Sequence, residues 1–145
     1  AASVAIMVHG KAQTLTGGRR MKAVKPKTAA AWCAFYGVKV KAGIAILYKA
    51  LHDNFDSPHG TNYAPGTKPK ADDWDGGKAE CGGGLHFSPT TGHALGFHGE
   101  AKRFIGCGVK VSEIVIHPDG DYPDKAKAPR VATPCFEVDR QGKPK

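Results

Sequence analysis

Three histidines, a cysteine and three consecutive glycines fall within one short stretch, CGGGLHFSPTTGHALGFHG, from Cys81 to Gly99. These residue types suit three chemistries: metal ligation, phosphate binding by backbone N–H groups, and proton transfer. Spacing restricts each of them. A phosphate-binding glycine loop must follow a strand and open a helix, whereas Gly82–Gly84 precede a strand, and the chain has no G-x-x-x-x-G-K-[ST] run. The glycines are therefore expected to form a tight turn entering the strand. His93 and His98 are five residues apart, about 140° around a helix rather than on one face. A zinc site would have to recruit Cys81, His86 or Cys107 from separate segments, so no metal site is expected. His86 sits mid-strand between Leu85 and Phe87 and faces away from them. There it is either a hydrogen-bonded structural residue or an acid–base group in a cleft. Ser88 is predicted as a helix N-cap with Pro89 at the first helical position. The hydroxyls and N–H groups of Ser88, Thr90 and Thr91 then serve either as simple caps or as an anion seat.

The elements that must hold this stretch in place are short. SVAIMVH reads as a strand, and TAAAWCAFYG as a helix between an N-cap at Thr28 and a stop at Gly37. GIAILYKAL is the best strand candidate, with Ile44, Ile46 and Tyr48 alternating with Ala45, Leu47 and Lys49, as for a central position. RFIGCGVKV and EIVIH are further strands, HPDGDYPDK is a turn, and PRVATPCFEVD is a strand confined to an edge or bulge by Pro134. Between them, residues 52–80 form a long Gly-, Pro- and Asp-rich loop. Its Phe55, Tyr63 and Trp74 are out of place in a linker, so the loop is expected to pack over the domain. The tail, 140–145, is expected to fray. The sum is a compact α+β fold in one domain over 1–145, mainly short strands with one or two short helices and a long ordered loop.

Charge divides the chain unevenly. The net charge is +8, yet residues 1–52 hold nine Lys and Arg and no Asp or Glu, and all 13 acids follow from Asp53 onward. An acid-free third of this kind attracts phosphates or acidic partner proteins. Arg19, Arg20, Lys22, Lys25 and Lys27 are the candidate nucleic-acid contacts, and Trp32, Phe35 and Tyr36 are either base-stacking groups or the core face of the first helix. The four cysteines, Cys33, Cys81, Cys107 and Cys135, form no C-x-x-C pair. With no recognisable export signal they read as reduced, buried thiols of a cytoplasmic protein. No apolar run has the length of a membrane span.

Two resemblances bear on function. LYKAL, SPHGTNYAPGT, DDW, CGGGLHFSP, AKRFIGCGVKV and KAPRV with EVD together resemble uncharacterised small proteins of actinobacterial phages and their hosts, over roughly 32–139. This implies a phage or mobile-element origin. The order of LYKAL, HFSPT, a helix and a late strand with Glu137 is similar to ADP-ribosyltransferases. That resemblance implies NAD bound in a cleft between two small sheets, with Lys49 or His52 in the first-strand role, Ser88 and Thr90 in the S-x-[ST] element, and Glu137 as the late carboxylate. Lys49 stands where the family pattern has Arg or His, and CFE lacks a polar residue two before the Glu. Without that resemblance no cofactor is expected. The first expectation is a basic accessory protein that grips nucleic acid or an acidic host factor. An NAD-using transferase is the alternative. A small ribonuclease using His86 and His98 with Lys102, or a virion component, comes third.

Overall fold

A computed structural model describes residues 25–145. Within them the α+β expectation holds: two short helices accompany seven strands in two antiparallel sheets. The first helix, α1 (Ala29–Phe35), starts at Thr28, whose hydroxyl accepts from the Ala31 N–H, and stops where Gly37 takes φ +70°. Both ends agree with the sequence reading. Trp32 and Cys33 are its buried face, and Trp32 Nε1 donates to the Pro123 carbonyl at 2.9 Å. Trp32 is therefore core, while Phe35 stays exposed.

The four-stranded sheet runs β1 (Val40–Lys41), β2 (Ile44–Leu51), β4 (Arg103–Lys110), β7 (Thr133–Val138) in spatial order. The three-stranded sheet runs β3 (Leu85–Phe87), β6 (Ala126–Ala128), β5 (Val115–Ile116). β2 is central, as its pattern predicts. Ala45 and Leu47 on one face, with Cys107 and Val109 of β4, pack towards Leu85, Phe87, Ala126 and Ala128 of the smaller sheet. On the opposite face, Ala50, Phe104 and Val138 pack beneath α2 (Thr91–Phe97) through Ala94. The order is helix, sheet, sheet, and each layer follows from the period-2 alternation along β2 and β4.

Three expectations change. Ser88 is not the cap of α2. It is spent in a backbone bridge to Tyr48, and Thr90 becomes the N-cap, its hydroxyl accepting from the His93 N–H at 3.1 Å. The tail does not fray. Asp139 closes a turn with Gln141 and Lys143, and the Lys145 N–H donates to the Glu137 carbonyl at 3.0 Å. Cys81 is exposed, unlike the other three thiols.

The long loop packs as predicted. Tyr63 is buried in the core between the sheets. Gly66 N–H donates to the Cys135 carbonyl at 2.8 Å and Cys135 N–H to the Thr67 carbonyl at 2.9 Å, so the loop lines the outer edge of β7. Its end explains the triple glycine. A β-carbon on Gly83 would lie 1.7 Å from the Asp73 carbonyl oxygen, and one on Gly84, which has φ +98°, would strike the Trp74 ring. CGGG is a turn pressed against residues 73–79, not a phosphate cradle.

Candidate functional site

β2 and β3 touch at one point and then part. Tyr48 N–H donates to the Ser88 carbonyl and Ser88 N–H to the Tyr48 carbonyl, both at 2.9 Å. β3 pairs on its other side with β6, and β2 with β4, so beyond this bridge the two strands belong to different sheets. The wedge between them is a cavity of about 300 Å³, at the lower end of the range for small-molecule sites. β2 contributes Tyr48, Lys49 and Ala50. β3 and the glycine turn contribute Cys81, His86, Phe87 and Ser88. Ala94, Phe97 and His98 of the α2 segment, Ser57–His59 of the long loop, and Tyr122 and Lys125 complete it.

Lysine dominates the site's electrostatics. Lys49 Nζ donates to the His86 carbonyl and lies 5.0 Å from the centre of the Tyr63 ring and 5.6 Å from that of Phe87. Burial pulls the Lys49 ammonium down to about 8 against an opposing effect of Cys107, with Lys125 adding to the fall. Lys125 is 5% exposed, and its Nζ donates to Cys81 Sγ at 3.4 Å. Lys127, wholly buried opposite His86, donates to the Ala79 carbonyl. Buried lysines are ordinarily paired with carboxylates. Among the described residues none of these three is in an ion pair. Asp75 and Glu80 feel Lys127 and Lys125 at longer range, but their oxygens accept from backbone N–H groups of Gly77, Ala79, Asp121 and Tyr122. Residues 1–24 contain no Asp or Glu at all, so no carboxylate side chain from there can supply the missing partner.

His86 lines the cavity, as the alternation in GLHFS allows, with Nε2 2.9 Å from the Gly82 carbonyl. Burial, then Lys125, pulls its pKa down to about 4 against the Gly82 hydrogen bond, with Lys49 and Lys127 adding to the fall. It is neutral at pH 7 and poorly suited to be a general acid there. His98 also lines the cavity, its Nδ1 3.2 Å from the Ala50 carbonyl, but Lys102 lies outside it. The ribonuclease trio is not assembled.

The other expected groups disperse. His52 borders a shallower groove of about 510 Å³ with His98, Lys102 and Arg140. Thr90 borders a smaller hollow of about 160 Å³, its hydroxyl also 2.7 Å from His93 Nδ1, and Thr91 donates to the Arg140 carbonyl. With Ser88 N–H taken by Tyr48, the anticipated anion seat at the start of α2 is already filled. Glu137 does not reach the cavity. It stands on the same sheet face as Lys49, in register through Ile105, but two strands away, on the order of 10 Å, while the cavity opens from the other edge of β2. There Glu137 accepts from Arg103 Nη1 at 3.1 Å and Lys145 Nζ at 3.3 Å. Burial pushes its carboxyl up, and these two cations outweigh burial and hold it below the usual range.

Among the described residues no group of three His, Cys, Asp or Glu side chains is placed to hold a metal ion. Cys107 is wholly buried beside Cys135, at an Sγ–Sγ distance of 3.7 Å, whereas Cys81 is exposed. Of the basic set, Arg19, Arg20 and Lys22 lie outside the described residues. Lys25 and Lys27 are exposed, and Lys25 is 3.6 Å from Asp119. No helix among the described residues is long and apolar enough to cross a membrane.

Sequence reasoning singled out His86 and Ser88 but missed Lys125 and Lys127, because KAKA, though it alternates, is short and lacks the β-branched and aromatic residues of a strand. The one signal available was the absence of any acid before Asp53. No family model, no curated protein and no solved structure matches the chain.

Proposed function

We propose that the cleft between β2 and β3 binds a small phosphate-bearing ligand of nucleotide type. The observation that carries this reading is a group of lysines left without carboxylate partners: half-buried Lys49 and buried Lys125 on the wall of a cavity of ligand size, and buried Lys127 in register with His86 of that wall. An anion entering the cavity compensates their charge, and the low polarity there strengthens the attraction. At the mouth, Phe97 and Tyr122 are both over 40% exposed with ring centres 5.4 Å apart, which suits a flat heterocycle. NAD is the first ligand to test, since the ADP-ribosyltransferase resemblance points to the same strands. No carboxylate lines the cleft, so the transferase role expected of Glu137 has no counterpart there, and the proposal is of binding rather than transfer. The test is calorimetric titration with NAD, ADP-ribose and inorganic pyrophosphate. Binding of at least one phosphate-bearing ligand is expected, weakened roughly tenfold or more in Lys125→Met. Absence of binding by all three, or undiminished binding in that variant, overturns the proposal.

The acid-free first third favours a second reading, contact with nucleic acid through Arg19, Arg20, Lys22, Lys25 and Lys27, as expected of a basic phage accessory protein. Its signature is affinity that falls steeply with salt and weakens in the double variant Arg19→Ala, Arg20→Ala. Salt-independent binding, or none at low salt, rejects it.

A further inference from the structure

We propose that the Lys49 side chain is a reactive amine that condenses with the carbonyl of a small anionic aldehyde or α-oxo acid held in the cleft. The inference rests on the proposed anion site for the ligand's charge, and goes beyond it in assigning a covalent step.

Three features of the position carry it. Lys49 follows immediately after the Tyr48–Ser88 bridge, where β2 parts from β3, so its side chain borders the cavity. The amine is fixed rather than free to wander: it donates to the His86 carbonyl between the Tyr63 and Phe87 rings. Only the His86 carbonyl and the faces of the Tyr63 and Phe87 rings support its charge, and no carboxylate is among the groups that face it. They are His86 on β3, neutral at pH 7, Tyr63 on the long loop, the buried Cys107 thiol on β4, and the like charge of Lys125. An apolar enclosure beside a second cation is the environment that makes a lysine nucleophilic near neutral pH. The lowered Lys49 value, about 8, agrees with that geometry.

The step balances without an oxidant or reductant. The neutral amine adds its lone pair to the carbonyl carbon, forming a C–N bond while the C=O π pair moves to oxygen and takes a proton. That proton is the one the nitrogen sheds on addition; the resulting hydroxyl takes a second proton from solvent and leaves as water when the nitrogen lone pair forms the C=N bond. One water is released, and the product is an imine, protonated at nitrogen. Lys125, in the same cleft, supplies the cation that holds the ligand's carboxylate.

The experiment is reductive trapping of the full-length protein with pyruvate and cyanoborohydride, followed by peptide mapping. The expected result is one N-carboxyethyl adduct, at Lys49, formed roughly tenfold faster than at any exposed lysine. Its rate rises with pH and levels above about 8, because the neutral amine reacts. Lys49→Arg keeps the charge and the donor but should give no adduct at that position or elsewhere in the cleft. If the variant fails to fold, the map of the native protein still decides. Label spread over exposed lysines, label at Lys125, or no label overturns the proposal. Inorganic phosphate reports separately on the anion site: Lys49 labelling that phosphate does not slow preserves the reactive amine and removes the shared anion site.

Discussion

Tyr48 and Ser88 exchange both of their backbone hydrogen bonds at 2.9 Å, and the two sheets diverge from that pair to open the cleft. Ser88 therefore acts through its main chain. Ser88→Pro removes the N–H and should cost about 3 kcal/mol or more, with loss of ligand binding. Ser88→Ala keeps the bridge and should change stability by less than about 1 kcal/mol while leaving affinity intact. Chemical denaturation and titration of both variants check this. A Ser88→Ala protein that folds normally and loses binding would give the hydroxyl a direct role.

Stability should decline in acid because of His86. Its folded pKa, about 4, lies below the ordinary 6.5, so between those values the unfolded chain binds the extra proton. Stability then rises with pH across this window and is unaffected by this group above it. The full change is about 3 kcal/mol. Denaturation midpoints from pH 4 to 7 should show a slope that flattens in His86→Gln.

Lys49 works in the opposite sense to stability. Its charge is depressed by burial, so holding it protonated at pH 7 costs folding energy. Lys49→Met should raise stability at pH 7 by about 1–2 kcal/mol, despite orphaning the His86 carbonyl, and should weaken anion binding. Native affinity for pyrophosphate should itself fall as pH rises above about 8, where Lys49 loses its proton. A destabilised Lys49→Met protein, or affinity constant from pH 7 to 9.5, contradicts this account.

Gly83 carries a steric prediction. The Asp73 carbonyl occupies the space of its missing side chain, so Gly83→Ala should cost about 3 kcal/mol or more. Gly96, with open space around its β-carbon site, is the control: Gly96→Ala within α2 should stabilise by roughly 0.5–1 kcal/mol. Thermal melts of the two variants decide the matter.

Local signals were enough for much of the fold. Thr28 and Gly37 bracket α1 because capping depends only on neighbours in sequence. β2 and β4 are legible because apolar runs of that length have few alternatives, and Pro134 places β7 at an edge because proline lacks the donor an inner strand needs. What was illegible depends on pairing. Ala126–Ala128 is a strand because β3 and β5 flank it, not because Ala-Lys-Ala prefers one. The cap of α2 moved from Ser88 to Thr90 because Tyr48, forty residues earlier, takes the Ser88 backbone. Glu137 was given a role by its place in the order of elements. Only the register against Ile105 shows how far it stands from the cleft.

The ladder from residues 66–67 to Cys135 has a consequence for how copies of this chain meet. An outermost strand with free N–H and C=O groups is a template on which another chain can add a strand. At β7 part of that template is already occupied by the protein's own loop, and Pro134 offers no donor beside it. At the far side of the same sheet, among the described residues, β1 is two residues long and exposed, with Lys41 within it and Lys39 just before it. The larger sheet thus meets its neighbours with one margin zipped and the other brief and cationic, which guards a strand-rich, cysteine-bearing chain against edge-to-edge polymerisation.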